Sequence, residues 1–154
     1  MELKALKRRP GQVQNKNLLR AYDQFEALLA ELKKKELTEE VVAYINKGID
    51  EINAVSGSEK ELRKKIRKTQ SGILRFIEKE LKLVTKNHYR NSWLAIGMAA
   101  FGIPLGVAFG ASLGNMAFLG IGLPVGMVIG MAVGSGMDKK AFEAGRQLDL
   151  EIKY

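Results

Sequence analysis

Between residues 15 and 37 the apolar positions Leu18, Tyr22, Phe25, Leu29 and Leu32 step by four and three, which puts them on one face of a helix. Lys33, Lys34 and Lys35 at its end suit the negative pole of the helix dipole. Thr38 followed by Glu39 and Glu40 reads as an N-cap with an acidic first turn. It opens a second helix, expected to run to about Val55, with Val42, Ile45, Ile49 and Ile52 on one face. Ser56-Gly57-Ser58 closes that helix, and Ser58 with Glu61 matches a capping box for the next. The third helix starts near Glu59 and carries Leu62, Ile66, Ile73, Ile77, Leu81 and Val84. Its stripe has one polar gap, Thr69-Gln70-Ser71-Gly72. Strong helix formers flank the gap, so the helix is expected to continue unbroken to Trp93.

At Trp93 the pattern changes. The 45 residues from Trp93 to Met137 contain no Asp, Glu, Lys, Arg or His. About 20 apolar residues cross a bilayer, so this run allows two crossings and a short turn. The competing reading is a buried helix pair in a soluble protein, which a run of this length without charge disfavours. Within the run, Gly102, Gly106, Gly110 and Gly114 recur every fourth residue, as do Gly122, Gly126, Gly130 and Gly134. Pro104 and Pro124 occupy the same place in each block, so GIPLGVAFGASLG and GLPVGMVIGMAVG form a tandem duplication. Each glycine lowers helix propensity by about 1 kcal/mol against alanine, roughly 8 kcal/mol for the eight. A glycine stripe offsets that cost when two backbones approach closely along it. In an antiparallel hairpin Gly114 can face Gly122, Gly110 Gly126, Gly106 Gly130 and Gly102 Gly134, with the turn centred on Phe118. This register predicts spans near 93–114 and 122–140 and a connection over 115–121. Pro104 should kink the first span, and Pro124 should fall in the first turn of the second. The glycine faces could equally pack between copies of the chain.

These repeats resemble the glycine-zipper class of membrane proteins, over residues 102–134 only. That class includes channel-forming and pore-forming proteins, many of them bacterial homo-oligomers. The resemblance implies homo-oligomeric assembly and, less directly, a channel.

Charge divides the chain. The net charge of +8 is carried entirely by residues 1–92, and the C-terminal segment is neutral. The expected organisation is therefore a basic flexible arm over 1–14, stopped by Pro10-Gly11, and a basic helical cytosolic domain over 15–92. A two-span transmembrane hairpin over 93–137 and a polar cytosolic helix end or tail over 138–154 follow. The fold class is all-α: three amphipathic helices, bundled or coiled between copies, followed by an antiparallel transmembrane hairpin with glycine zippers. The first residues, MELKALKRRPGQVQNK, lack the apolar core of a signal peptide, so the first membrane signal is expected to be internal. Lys79, Lys82, Lys86 and Arg90 precede the first span, Lys139, Lys140 and Arg146 follow the second, and the turn is uncharged. The positive-inside rule then places both termini in the cytosol, across the plasma (inner) membrane, with His88, Tyr89 and Trp93 as interface anchors.

The sequence offers little for catalysis. It has one histidine, His88, no cysteine and no HExxH motif. Its acidic pairs lie on solvated helix faces, and its glycines lack the strand and the Lys-Ser/Thr of a phosphate loop. No enzyme activity, metal or cofactor is expected. Arg63, Lys64, Lys65, Arg67 and Lys68 form the densest basic cluster, a possible phosphate or anionic-lipid contact, with no nucleic-acid motif beside it. Three functions follow as expectations. The first is a homo-oligomeric channel or pore, with Ser112, Asn115 and Ser135 as polar lining of an otherwise apolar path. The second is a non-conducting anchor that recruits a partner or anionic lipid. The third is a membrane-disrupting effector.

Overall fold

A computed structural model describes residues 2–8 and 15–152. Among these the chain is all-helical, without a strand, and it divides into two compact units. The first comprises residues up to Val84 together with Leu148–Ile152, and the second comprises Thr85–Gln147.

In the first unit, helices α1 (Lys16–Leu32), α2 (Glu39–Asn53) and α3 (Glu59–Leu81) form where the apolar stripes predict them. Asn15 caps α1 by accepting from the Asn17 and Leu18 amides, and the Thr38 hydroxyl caps α2 from Val41 N. At α3 both halves of the Ser58–Glu61 capping box are made. The helix passes unbroken through the polar gap. α3 packs against both α1 and α2. Phe25, Leu28, Leu32, Ile45, Ile49, Leu62, Ile66, Ile73 and Ile77 meet in one core, all fully buried or nearly so.

Three expectations for this part need correction. First, α3 stops at Leu81 instead of running to Trp93. Lys82 turns into the left-handed region (φ 55°), and the amides of Lys82 and Leu83 bond back to Glu78 O and Ile77 O, the pattern that ends a helix. Second, residues 2–8 are not a free arm. Asn46, buried on α2, accepts from Lys4 N at 2.8 Å and donates to Glu2 O at 3.0 Å. Asn53, two helical turns on, accepts from Lys7 N at 3.0 Å, and Leu6 enters the core. A buried amide side chain needs such partners, and an extended backbone supplies them. Pro10-Gly11 and residues 153–154 lie outside the described residues. Third, beyond the last helix, which ends at Glu143, the C-terminal segment docks rather than trailing as a tail: Leu148 is fully buried in this core, and its amide donates to Val84 O at 2.8 Å.

The second unit is a helix pair. Its first arm is continuous from His88 to Leu113, as α4 (His88–Gly97), a π-helical turn (Met98–Gly102) and α5 (Ile103–Leu113). Gly114 (φ 65°) caps α5, Asn115 leads into a 3-10 turn (Met116–Phe118), and α6 (Leu119–Glu143) returns. Both arms are longer than the expected 93–114 and 122–140: the first begins five residues earlier, at His88, and the second extends at both ends, from Leu119 to Glu143. Pro124 consequently lies inside α6 rather than in its first turn.

Candidate functional site

The two arms of the second unit meet through bare backbone. A Cβ added at Gly122 would lie 2.2 Å from Gly102 O and 2.5 Å from Gly106 N. One at Gly126 would lie 2.5 Å from both Gly102 N and Gly97 O, and one at Gly130 would lie 2.1 Å from Trp93 O. At Gly134 the neighbours are Arg90 Cα and Tyr89 O, at 2.5 and 2.6 Å. Real Cβ contacts of this length do not occur, so only glycine permits the approach. Dispersion between the backbones then acts along the whole contact.

The register differs from the aligned one. Gly102 faces Gly122 and Gly126, not Gly134; Gly106 faces Gly122 and Leu119, not Gly130. Gly110 abuts Met116 and Asn115 at the turn, and Gly114 packs against nothing, because it supplies the positive φ that ends α5. The place left by this slide is taken by Gly97, which sequence spacing did not single out. It is five residues before Gly102, off the four-residue ladder. The π-helical turn accounts for it: Ile103 N bonds to Met98 O, five residues back, so five residues complete one turn and Gly97 comes into line with Gly102 and Gly106. Pro104 follows this turn as the second residue of α5. Proline has no N–H and crowds the carbonyl four residues earlier, so an irregular turn just before it is the expected accommodation. A five-residue glycine step directly upstream of a proline was the available signal.

The open end of the pair is tied by a carboxylate. Asn87, the N-cap of α4, makes no side-chain cap bond. Asp138 of α6 accepts instead from Tyr89 N and Arg90 N, both at 3.0 Å. Asp138 is nearly buried, so these charge-assisted bonds, at the positive end of a helix dipole, are what stabilise it there. Sequence reading treated Asp138 only as the first polar residue after the span.

The other expected residues are placed as follows. His88 opens α4 with its ring edge-on to Tyr89, centroids 5.1 Å apart, and Trp93 is half-buried. Ser112 and Ser135 are exposed, and the Asn115 side chain caps the 3-10 turn by accepting from Ala117 N at 2.9 Å. The basic cluster is split around α3. Lys65 bonds to Glu51 at 2.6 Å and, with Lys68, lines a groove toward α2; Lys64 and Arg67 are exposed, and neither they nor the half-buried Arg63 line that groove. Among the described residues no three of His, Cys, Asp and Glu are grouped to hold a metal.

Both arms, His88–Leu113 and Met116–Glu143, are long and apolar enough to cross a membrane. No family model matches the chain, and no curated protein or solved structure matches it.

Proposed function

We propose that the chain is a two-span membrane protein in which a glycine-zipper hairpin anchors a basic helical domain at the cytosolic face of the inner membrane. The surface of the hairpin carries this reading. Gly97, Gly102, Gly106, Gly122, Gly126, Gly130 and Gly134 face inward, and Ile96, Phe101, Ile103, Val107, Phe109, Leu113, Ile121 and Val128 point outward, each more than two-fifths exposed. An apolar surface of this extent belongs against lipid rather than water. Lys139, Lys140 and Arg90 at the open end, and an uncharged turn, favour both termini inside. The close contacts are used up within one hairpin, whose middle holds no polar or open path. That favours an anchor over a conduit. The experiment is extraction and topology mapping of the full chain. It lacks cysteine, so one introduced at Ala117 and another at Tyr44 can be labelled separately. The expected result is a carbonate-resistant protein labelled from outside only at position 117. Release into the soluble fraction, or labelling of both positions from one side, would refute the reading.

A homo-oligomeric pore is the second reading, favoured by one observation. Gly120 and Gly136 on α6 face open space, with nothing within 4 Å of an added Cβ, and could receive another copy's helix. In that case the mass in detergent is that of a ring, liposomes conduct, and Gly136→Leu changes both. A monomeric, non-conducting protein leaves the anchor.

A further inference from the structure

We propose that the groove between α2 and α3 is a binding site for a phosphate monoester, built by Lys47 on α2 and Lys65 and Lys68 on α3 with the hydroxyl of Tyr44. The proposal concerns the first unit alone and does not depend on the membrane reading.

The groove holds about 370 Å³, within the range of small-molecule sites. Its floor is made by glycine. A Cβ at Gly48 would lie 2.6 Å from Thr69 Cγ2, and one at Gly72 would lie 3.3 Å from Tyr44 Oη. A larger residue at either place would push into the groove or spread the helices. Tyr44 is 43% exposed, yet its ring is stacked on Phe76 with centroids 4.2 Å apart and planes 18° from parallel. Its hydroxyl is thereby held at the groove edge without being buried in the core.

The charge count selects the ligand. Three lysines line the groove against one acidic residue, Glu51. Glu51 senses all three: the Lys65 hydrogen bond chiefly, and the charges of Lys65, Lys47 and Lys68, hold its carboxyl below the ordinary range. The positive field therefore converges where Glu51 reaches. The net of two positive charges matches a phosphate monoester, which carries about −1.5 to −2 at neutral pH. Ammonium and hydroxyl donors suit its three terminal oxygens. A carboxylate or a phosphodiester brings only one charge. The ligand could be a soluble phosphorylated metabolite or a lipid headgroup with a terminal phosphate.

The test uses the full chain in neutral maltoside micelles, following the amide resonances of Gly48 and Gly72. One arm titrates glycerol 3-phosphate, the other short-chain phosphatidic acid. Saturable shifts at both glycines with either probe support the site. A response to the soluble probe alone assigns a metabolite, and a response to the lipid alone assigns a headgroup. Lys47→Gln with Lys68→Gln should weaken binding about tenfold, and Glu51→Gln, which removes the competing carboxylate, should tighten it about threefold. Lys64→Gln with Arg67→Gln removes the same charge from α3 outside the groove and should change affinity less than about twofold. The proposal is overturned if neither probe shifts Gly48 and Gly72, if the Lys64/Arg67 pair costs as much as the Lys47/Lys68 pair, or if Glu51→Gln weakens binding.

Discussion

Gly97 offers the sharpest test of how the hairpin packs, because only the observed register gives it a role. In Gly97→Ala the new methyl would lie 2.3 Å from Gly126 O, 2.8 Å from Gly130 Cα and 2.9 Å from Gly130 N. Ordinary contact begins at 3.4 Å, so the arms must separate locally by about 1 Å. All of the close atoms are backbone, so no side-chain rotation can relieve the clash. A gap of 0.5–1 Å forfeits about a quarter to a half of each dispersion contact beside it. Overpacking of this kind costs typically about 1–3 kcal/mol, partly offset by the helix preference of alanine, up to about 1 kcal/mol. The helix pair should therefore lose about 1–2 kcal/mol, roughly a 5–30-fold shift toward separated helices. Titration of the full chain with sodium dodecyl sulfate in mixed micelles, with fluorophores on cysteines placed at 96 and 128, would report the separation. Gly136→Ala is the control: the same change in the same arm system, into open space. It should be neutral or slightly stabilising. If Gly97→Ala proves no worse than Gly136→Ala, the arms do not meet as described.

Other outcomes follow from the same geometry. Asp138→Ala removes both acceptors at the start of α4 and should destabilise the hairpin by about 1–3 kcal/mol, with Asp138→Asn in between; amide exchange at Tyr89 and Arg90 should accelerate first. Ser58→Ala breaks the capping box of α3 and should cost about 1 kcal/mol in the thermal unfolding of the helical unit, read by circular dichroism. Glu31 accepts from Lys34 and from Asp149 N, and these two bonds, in that order, hold its carboxyl below the ordinary 4.5. Its contribution is thus fully present above that ordinary value and is lost as pH falls through the lower folded-state one. The melting temperature should drop on acidification below about pH 4.5, less steeply in Glu31→Gln, and an identical acid profile for the two proteins would contradict this.

How much of this was legible depended on the distance over which each feature is decided. The stripes of α1, α2 and α3 and the Ser58–Glu61 box involve residues three or four apart, and they appear where the sequence placed them. The long apolar arms were legible from composition alone. The end of α3 was not: it falls at Lys82, which adopts positive φ without being glycine or asparagine, a conformation that a lysine's local preference disfavours. The docking of residues 2–8 relies on Asn46 and Asn53, more than forty residues away, and that of Asp149 on Glu31, 118 residues away. An asparagine on a helix face gives no sign of which distant backbone it will hold. The groove between α2 and α3 was half legible, since Lys65 and Lys68 were visible as part of a charge run but Lys47 and Tyr44 join them only through packing.

The register of the hairpin shows the limit most clearly. Two stripes with a four-residue repeat can slide past one another by whole turns and still set glycine against glycine, so the repeat determines which faces meet and leaves open how far along. Against the aligned register, the observed one moves the partner of Gly102 from Gly134 to Gly126 and Gly122, a slide of eight to twelve residues, roughly 12–18 Å at 1.5 Å per residue. Two local features decide between them. Gly114 and Asn115 close the turn tightly, because a glycine at positive φ ends α5 and an asparagine starts the 3-10 turn at once. At the other end, the aligned register would place Asp138 level with Met98, inside the apolar length of the pair, where a carboxylate finds neither water nor a free amide. The slide brings it to the first turn of α4, where unsatisfied N–H groups are available by necessity. The tight turn and one charged residue at the end of the apolar run, rather than the eight glycines within it, discriminate between the registers. Asp138→Leu should therefore loosen the register at the open end while leaving the glycine faces in contact, seen as faster amide exchange at Tyr89 and Arg90 with no acceleration at the turn.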